Sequence, residues 1–372
     1  MNVLMLETSG WGGVSHYSHC LSQALSQYGI STTLVTNEVY ELRNRERDYE
    51  ILTILKDGGN YPERMRTFLR TLRSESPTVL HIQSGFSARR DWLMLPLFKK
   101  HCEEIIVTAH NILPHEEAEK QAKGMEFTLG RIYRSCDGII VHSAYSKDLL
   151  TRRFSIDESK VVVIPHGNYL FLSNGNGDGL RAPQYERGDS DTILFFGHLR
   201  QYKGVDILIR AFSRVRRLHE NALLVIAGKG QGRITQEYER IIAEEGVSGS
   251  VLLKPGYVDD GEIGSMFSQA RLVVLPYRES DGSGALQLAY AFGKPVVATA
   301  VGVFPEIVEE GINGFLVPPE DPNALAGAIL RLLELPPYET YKMGEVSRLM
   351  AERNFGWDKI AEMTVEFYKS LL

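Results

Sequence analysis

Residues 276–318 read PYRESDGSGALQLAYAFGKPVVATAVGVFPEIVEEGINGFLVP. The apolar run Leu272–Leu275 before them predicts a strand, and the polar turn Glu279-Ser280-Asp281-Gly282-Ser283-Gly284 ends it. A helix is expected over Ala285–Phe292 and a second strand over Pro295–Thr299. Short apolar strands joined through a helix are the repeating unit of a parallel α/β sheet. A turn of this kind aims free backbone N–H groups and the positive end of a helix at one point, which suits an anionic or hydroxyl-rich ligand.

The same alternation extends in both directions. Upstream, strands are expected at Val3–Leu6, Ser31–Val35, Val79–Ile82, Ile105–Ala109, Gly138–Val141 and Val161–Ile164. Helices are expected between them at Val14–Tyr28, Arg64–Arg73, Glu116–Arg134 and Tyr145–Phe154. Residues 168–190 break the pattern with NGNGDG, a proline and scattered charges, the composition of a linker or exposed loop. A second series follows at Thr192–Phe196, Leu223–Ala227, Ser250–Lys254, Leu272–Leu275, Pro295–Thr299 and Phe315–Val317. With 372 residues, two domains of one class are expected, over 1–167 and 191–353. The last stretch, 354–372, is amphipathic, with Ile360, Met363, Phe367 and Leu371 at helical spacing.

Hydrophobic residues make up 43% and charged residues 24%, the balance of a soluble globular chain. A net charge of -6 argues against a nucleic-acid partner. No window approaches a membrane span, and MNVLMLETSG reads as a first strand and not a signal peptide. Cys20, Cys102 and Cys136 are too far apart for a metal site, and the ten histidines form no HExxH pattern. No metal is expected, and a reducing, cytoplasmic setting is.

Three motifs point to chemistry. Thr8-Ser9-Gly10-Trp11-Gly12-Gly13 lets backbone approach a ligand ahead of helix N–H groups, although an ordinary strand–helix turn reads the same way. In FFGHLRQYKG, Gly197, Arg200 and Lys203 follow a strand, where two cations can grip a diphosphate; a solvated surface loop is the competing account. His110 ends a strand in VTAHN and can bond a sugar hydroxyl or simply cap that strand. A fourth feature, the basic amphipathic stretch Arg64–Arg73, suits contact with an anionic membrane surface or a core-packed helix with a wet face.

In order and position these motifs resemble glycosyltransferase family 4, above all AFGKPVVAT followed by PEIVEEGINGFLVPPEDPNALA. The resemblance covers nearly the whole chain. It implies the GT-B architecture: two Rossmann-like domains with parallel sheets facing across a cleft, acceptor on the first, donor on the second, and a terminal helix crossing back to the first. It implies a retaining, metal-independent hexosyl transfer from a nucleotide-sugar, UDP- or GDP-linked, to a sugar, glycolipid or polysaccharide acceptor. No cofactor is implied, and the cytoplasm stays the expected setting, with the basic stretch Arg64–Arg73 leaning toward the inner face of the membrane. Residue by residue, Gly12 and Gly13 match the glycine loop, His110 a histidine beside the donor sugar, and Lys203 the phosphate-gripping lysine. His198 stands where the family's arginine usually does, so Arg200 is the residue expected in its role. Ser283 and Gly284 match the turn whose amides meet the donor. Many members carry two glutamates with seven residues between them, where this chain has Ser280 and Leu288. Glu279 or Asp281, with Gly282 in the same turn, is then expected toward the sugar. Two alternatives stay open: a non-catalytic nucleotide-sugar-binding partner subunit, and a sugar-nucleotide epimerase, for which acid/base carboxylates are lacking. Oligomeric state is not legible.

Overall fold

The structure is a computed structural model that describes residues 1–87, 89–113, 119–173, 191–230 and 232–372. Most of the expected linker, residues 174–190, lies outside the described residues, as does the start of the helix expected from Glu116. The chain separates into two compact units, Met1–Gly167 with Phe355–Leu372, and Asn168–Asn354.

In the first unit the strands are β1 (Asn2–Leu6), β2 (Ser31–Asn37), β3 (Glu50–Leu55), β4 (Val79–Ile82), β5 (Glu104–Thr108), β6 (Gly138–Val141) and β7 (Val161–Val163). They form one parallel sheet in the order β3-β2-β1-β4-β5-β6-β7. In the second unit they are β8 (Thr192–Phe196), β9 (Leu223–Gly228), β10 (Val251–Pro255), β11 (Leu272–Leu275), β12 (Val296–Thr299) and β13 (Gly314–Val317). Their parallel order is β10-β9-β8-β11-β12-β13. Each order winds outward from a central first strand, returns across it and winds the other way. The reversal leaves a crevice at the carboxyl ends of β1 and β4 in one unit, and of β8 and β11 in the other, where open α/β sheets bind ligands.

Central strands are covered on both faces, and so read as unbroken apolar runs. Val3, Leu4, Met5 and Leu6 are all buried, as are Leu272 to Leu275. Strand β3 was not among the expected elements, and its physics shows why. It is an edge strand, half exposed along most of its length, paired only with β2 and preceded by the charged run RNRERDYE.

The helix Trp357–Leu371 belongs to the first unit. Ile360, Ala361, Val365, Phe367 and Tyr368 share one core with Val3, Met5, Tyr17 and Leu21, and Met363 and Leu371 lie at its rim. Gly138 in β6 leaves the room this needs, because a Cβ there would come within 2.7 Å of the Phe367 ring. Truncating Phe367 to Ala should therefore cost about 3–5 kcal/mol, read as a lower urea midpoint for the first unit.

Candidate functional site

In the second unit, the loops leaving β8 and β11 are locked together. Gly204 has φ +67°, and a Cβ there would lie 1.9 Å from the Pro276 carbonyl oxygen. The Arg278 amide donates to the Tyr202 carbonyl at 2.7 Å. Its guanidinium donates to both oxygens of Asp206, at 2.9 and 2.7 Å, and also to Glu320 and to the Gln201 carbonyl. Asp206 first, and then Glu320, raises the Arg278 pKa, so its charge is permanent.

This clasp sets where the cations stand. Lys203 Nζ sits 3.7 Å from the centroid of the Tyr277 ring and 4.8 Å from that of Tyr202. The buried Tyr277 hydroxyl lies 3.3 Å from Ser283 Oγ. Ser283 is the N-cap of the helix Gly284–Ala291, its hydroxyl accepting from the Leu286 amide at 3.2 Å. That cap leaves the remaining first-turn N–H groups without an intrahelical acceptor, at the positive end of the helix. Lys203 and the Ser283 turn thus meet around one tyrosine. Arg200 is exposed at the start of the same loop. His198 lies in reach of both cations: desolvation, then Arg200, Lys203 and Lys229, lower its pKa. Gly197 supplies a φ of +140° at the exit of β8.

The rest of the turn is divided. Glu279 and Gly282 are at least partly open, whereas Ser280 and Asp281 are buried. The Ser280 hydroxyl donates to the Gly282 carbonyl at 3.2 Å, inside its own loop. Leu288 is 6% exposed and lies among apolar neighbours of the helix. Neither position supplies a carboxylate.

In the first unit, Gly12 (φ +80°) precedes the helix Gly13–Gln27, and its amide donates to Glu41 Oε1 at 2.6 Å. Upstream, the fully buried carboxylate of Glu7 accepts from the amides of Ser9 (2.7 Å) and Gly10 (2.9 Å) and from Thr36 Oγ1 (3.0 Å). Glu7 carries no motif in sequence, yet it shapes the whole glycine turn.

His110 belongs to a chain of hydrogen bonds that sequence reading did not connect. Tyr368 Oη lies 2.6 Å from His81 Nδ1, and His81 Nε2 lies 2.7 Å from Thr108 Oγ1. Gln83 bridges His81 (3.1 Å) to His110 Nε2 (2.9 Å), and His110 Nδ1 lies 3.1 Å from His142 Nε2. His142 Nδ1 faces the Ile164 carbonyl at 3.0 Å. Burial holds all of these rings neutral. It lowers His81 and His142 to about 3 and His166 to about 4, and lowers His110 well below its usual range, where neighbouring histidines add to the effect. A carbonyl only accepts, so neutral His142 carries its proton on Nδ1 and offers Nε2 as a lone pair. His110 then donates from Nδ1 and keeps a lone pair on Nε2, to which the Gln83 amide, turned by half a revolution, donates. His110 is thereby neutral, with its one Nε2 lone pair taken by the Gln83 amide. Tyr17, ringed by His110, His142, His166 and Trp357, has a buried hydroxyl with no hydrogen-bond partner among the described residues.

Polar atoms also gather at the exit of β4. Arg64 donates to the Thr8 carbonyl at 2.8 Å, and Asp91 Oδ2 accepts from the Ser87 amide at 2.9 Å. Arg64 Nε, Asp91 Oδ1 and the Tyr61 hydroxyl beside it are buried with no well-formed hydrogen bond among the described residues. Among the described residues, no group of three His, Cys, Asp or Glu side chains is placed to hold a metal ion.

Comparison with known proteins gives these geometries a family. Residues 11–168 match the model described as Glycosyltransferase Family 4, and residues 190–335 that described as Glycosyl transferases group 1. A D-inositol 3-phosphate glycosyltransferase of Xylanimonas cellulosilytica is 30% identical, over 97% of this chain and 92% of its own. An uncharacterized glycosyltransferase of Methanocaldococcus jannaschii is 31% identical over 68% of this chain and 65% of its own. The chain spans 53–57% of the length of several other curated relatives. The crystal structure of Anabaena HepE in complex with UDP-glucose has the same fold, with a TM-score of 0.78 at 18% identity over 100% of both chains.

The histidine chain makes stability depend on pH. Above about 6.5, the ordinary histidine pKa, folded and unfolded states are both neutral there and these rings contribute nothing. Below it the unfolded chain takes up protons that the fold refuses until about 4 for His166 and about 3 for His81 and His142. Stability should fall across that window by up to about 1.4 kcal/mol per pH unit for each ring. Urea unfolding at pH 7 and pH 5 reads this directly, and His142→Gln should remove one ring's share of the slope.

Proposed function

The chain belongs to glycosyltransferase family 4, the group 1 glycosyltransferases, and from that membership we propose that it moves a hexosyl group from a nucleoside-diphosphate sugar to an acceptor hydroxyl with retention at the anomeric carbon. One observation carries the donor side: Lys203 and the capped helix at Ser283 meet around Tyr277, at the β8/β11 reversal. HepE, a protein of the same fold, is described in complex with UDP-glucose, and a UDP- or GDP-sugar is the donor proposed here.

Breaking the bond from the anomeric carbon to the diphosphate oxygen leaves negative charge on the phosphates. Lys203, Arg200 and the N–H groups at the start of the helix Gly284–Ala291 neutralise that charge where it develops, usually the largest catalytic term. No metal ion is needed for this. The acceptor oxygen forms the new bond to carbon, and its proton passes to the departing phosphate. In the first unit, His110 accepts from a sugar hydroxyl at Nε2 in exchange for the Gln83 amide, and Tyr61, Arg64 and Asp91 bond acceptor hydroxyls. We assign the acceptor to a glycolipid or polysaccharide intermediate in the cytoplasm. D-inositol 3-phosphate, for which several relatives are named, is the soluble comparison.

The turn at Ser280 and the apolar Leu288 favour a second reading, a partner subunit that binds donor without turnover. Assay of purified protein separates the two. Thermal-shift screening against UDP-, GDP- and ADP-glucose should show one stabilising donor. Lys203→Ala should lower turnover roughly ten- to a thousandfold while leaving the fold intact. Undiminished activity in that variant contradicts the proposal.

A further inference from the structure

Beside its clasp to the loop after β11, the exit of β8 also pairs with the exit of β9. The Gly197 amide donates to the Ala227 carbonyl at 3.0 Å, and the Leu199 amide to the Lys229 carbonyl at 2.8 Å. Gly228 permits this approach, since a Cβ there would lie 1.9 Å from the Gly197 carbonyl oxygen. Leu199 is buried against Gly230, where a Cβ would come within 2.5 Å of its own. The backbone is still extended at Arg200, with φ -131° and ψ 154°. Side chains alternate in direction along such backbone, so His198 and Arg200 stand away from the Leu199 contact, and both are exposed. Lys229, in the partner loop, is exposed as well.

His198 therefore lies in a field of cations. Arg200 and Lys203 act on it from its own loop, and Lys229 from the loop after β9. The helix Arg233–Glu244 contributes the buried Tyr238, whose hydroxyl donates to the Arg200 carbonyl at 3.4 Å. Partial burial first, and then the three positive charges, hold the ring's pKa below the ordinary value, so the imidazole is neutral near neutral pH. A diphosphate reverses that field. It brings negative charge among the same side chains, and an imidazolium bonds a phosphate oxygen more strongly than a neutral ring does. The guanidinium and ammonium groups are charged already; of the four, the histidine is the one that can still change its charge.

We propose that His198 is a ligand of the donor diphosphate and bonds it as an imidazolium, so that each donor bound brings one proton from solvent into the site. This rests on the donor reading given above and adds to it a charge that only the bound state holds. Bound donor raises the ring's pKa, so affinity is greatest below the pKa of the free ring and falls as pH rises toward that of the bound one. Across that window one proton makes the fall up to about tenfold per pH unit.

The test is calorimetric titration of the full chain with UDP-glucose, and with GDP-glucose, from about pH 5.5 to about pH 8, the range in which a histidine titrates. Both ends of that diphosphate are esterified, so it lacks the ionisation at about pH 6 of a terminal phosphate. Titrations in PIPES and in imidazole buffer, whose ionisation enthalpies differ, count the protons taken up. Uptake approaching one proton is expected, with affinity falling at least about threefold from about pH 6 to about pH 8. His198→Gln should bind more weakly than the parent chain at the acid end, by a margin that narrows as pH rises, and take up no proton at this site. His198→Arg, a permanent cation, should bind donor with the uptake lost and the pH dependence flattened. Melting temperatures equal to the parent's show that both variants are folded. Donor binding without proton uptake at any pH, or the same uptake in His198→Gln, overturns the proposal and leaves the donor reading standing. No binding of either nucleotide-sugar at any pH contradicts the donor reading, and this proposal with it.

Discussion

The guanidinium of Arg278 is the constraint on which the donor edge of the second unit depends. It joins the loop after β8, the first turn of the helix Val205–Leu218 and the loop after β13 through Gln201, Asp206 and Glu320. Between the loops after β8 and β11 the backbone adds one bond, from the Arg278 amide to the Tyr202 carbonyl, and the side-chain clasp supplies the rest. The two-pronged bond to Asp206 fixes direction as well as distance, which a lysine ammonium cannot do. Tyr277 is the neighbouring residue in sequence, and Lys203 rests on its ring. The position of that cation relative to the helix N-terminus at Gly284 therefore follows from the clasp.

The first unit meets the same problem with the opposite charge. Glu7, at the exit of β1, gathers the amides of Ser9 and Gly10 and the hydroxyl of Thr36. A Cβ at Gly10 would lie 2.7 Å from the Val39 carbonyl oxygen, so the turn is closely packed as well as bonded. At the neighbouring strand ends, His81, Gln83, His110 and His142 share protons in one direction, from the Tyr368 hydroxyl to the Ile164 carbonyl. Such a network fixes tautomers. It makes His110 an acceptor without any charge in its ring.

The sheets were legible in sequence because strands buried on both faces leave runs such as VLML and LVVL with no polar interruption. Strand β3 was not, since an edge strand with one half-wet side shows no such run. In the loops, glycines marked where backbone had to turn, at Gly12, Gly197 and Gly204. What held those loops was invisible. Arg278 finds its partners 72 and 42 residues away, and an arginine looks the same in sequence whether it clasps or floats. The histidines showed themselves singly as strand-end residues, while their joining depends on strand order. The exchange of carboxylates for Ser280 and Leu288 was legible as a departure, and the structure shows both positions turned into the protein's own packing.

The central claim is that a clasped loop pair in the second unit presents cations and amides to a diphosphate. Calorimetric titration of UDP into the parent chain and into Arg278→Met tests it most directly. The account predicts binding by the parent chain, and binding at least about tenfold weaker in the variant, about 1.4 kcal/mol or more, with the second unit still folded. Equal affinity in the two proteins, or no affinity of the parent chain for any nucleoside diphosphate, would contradict it.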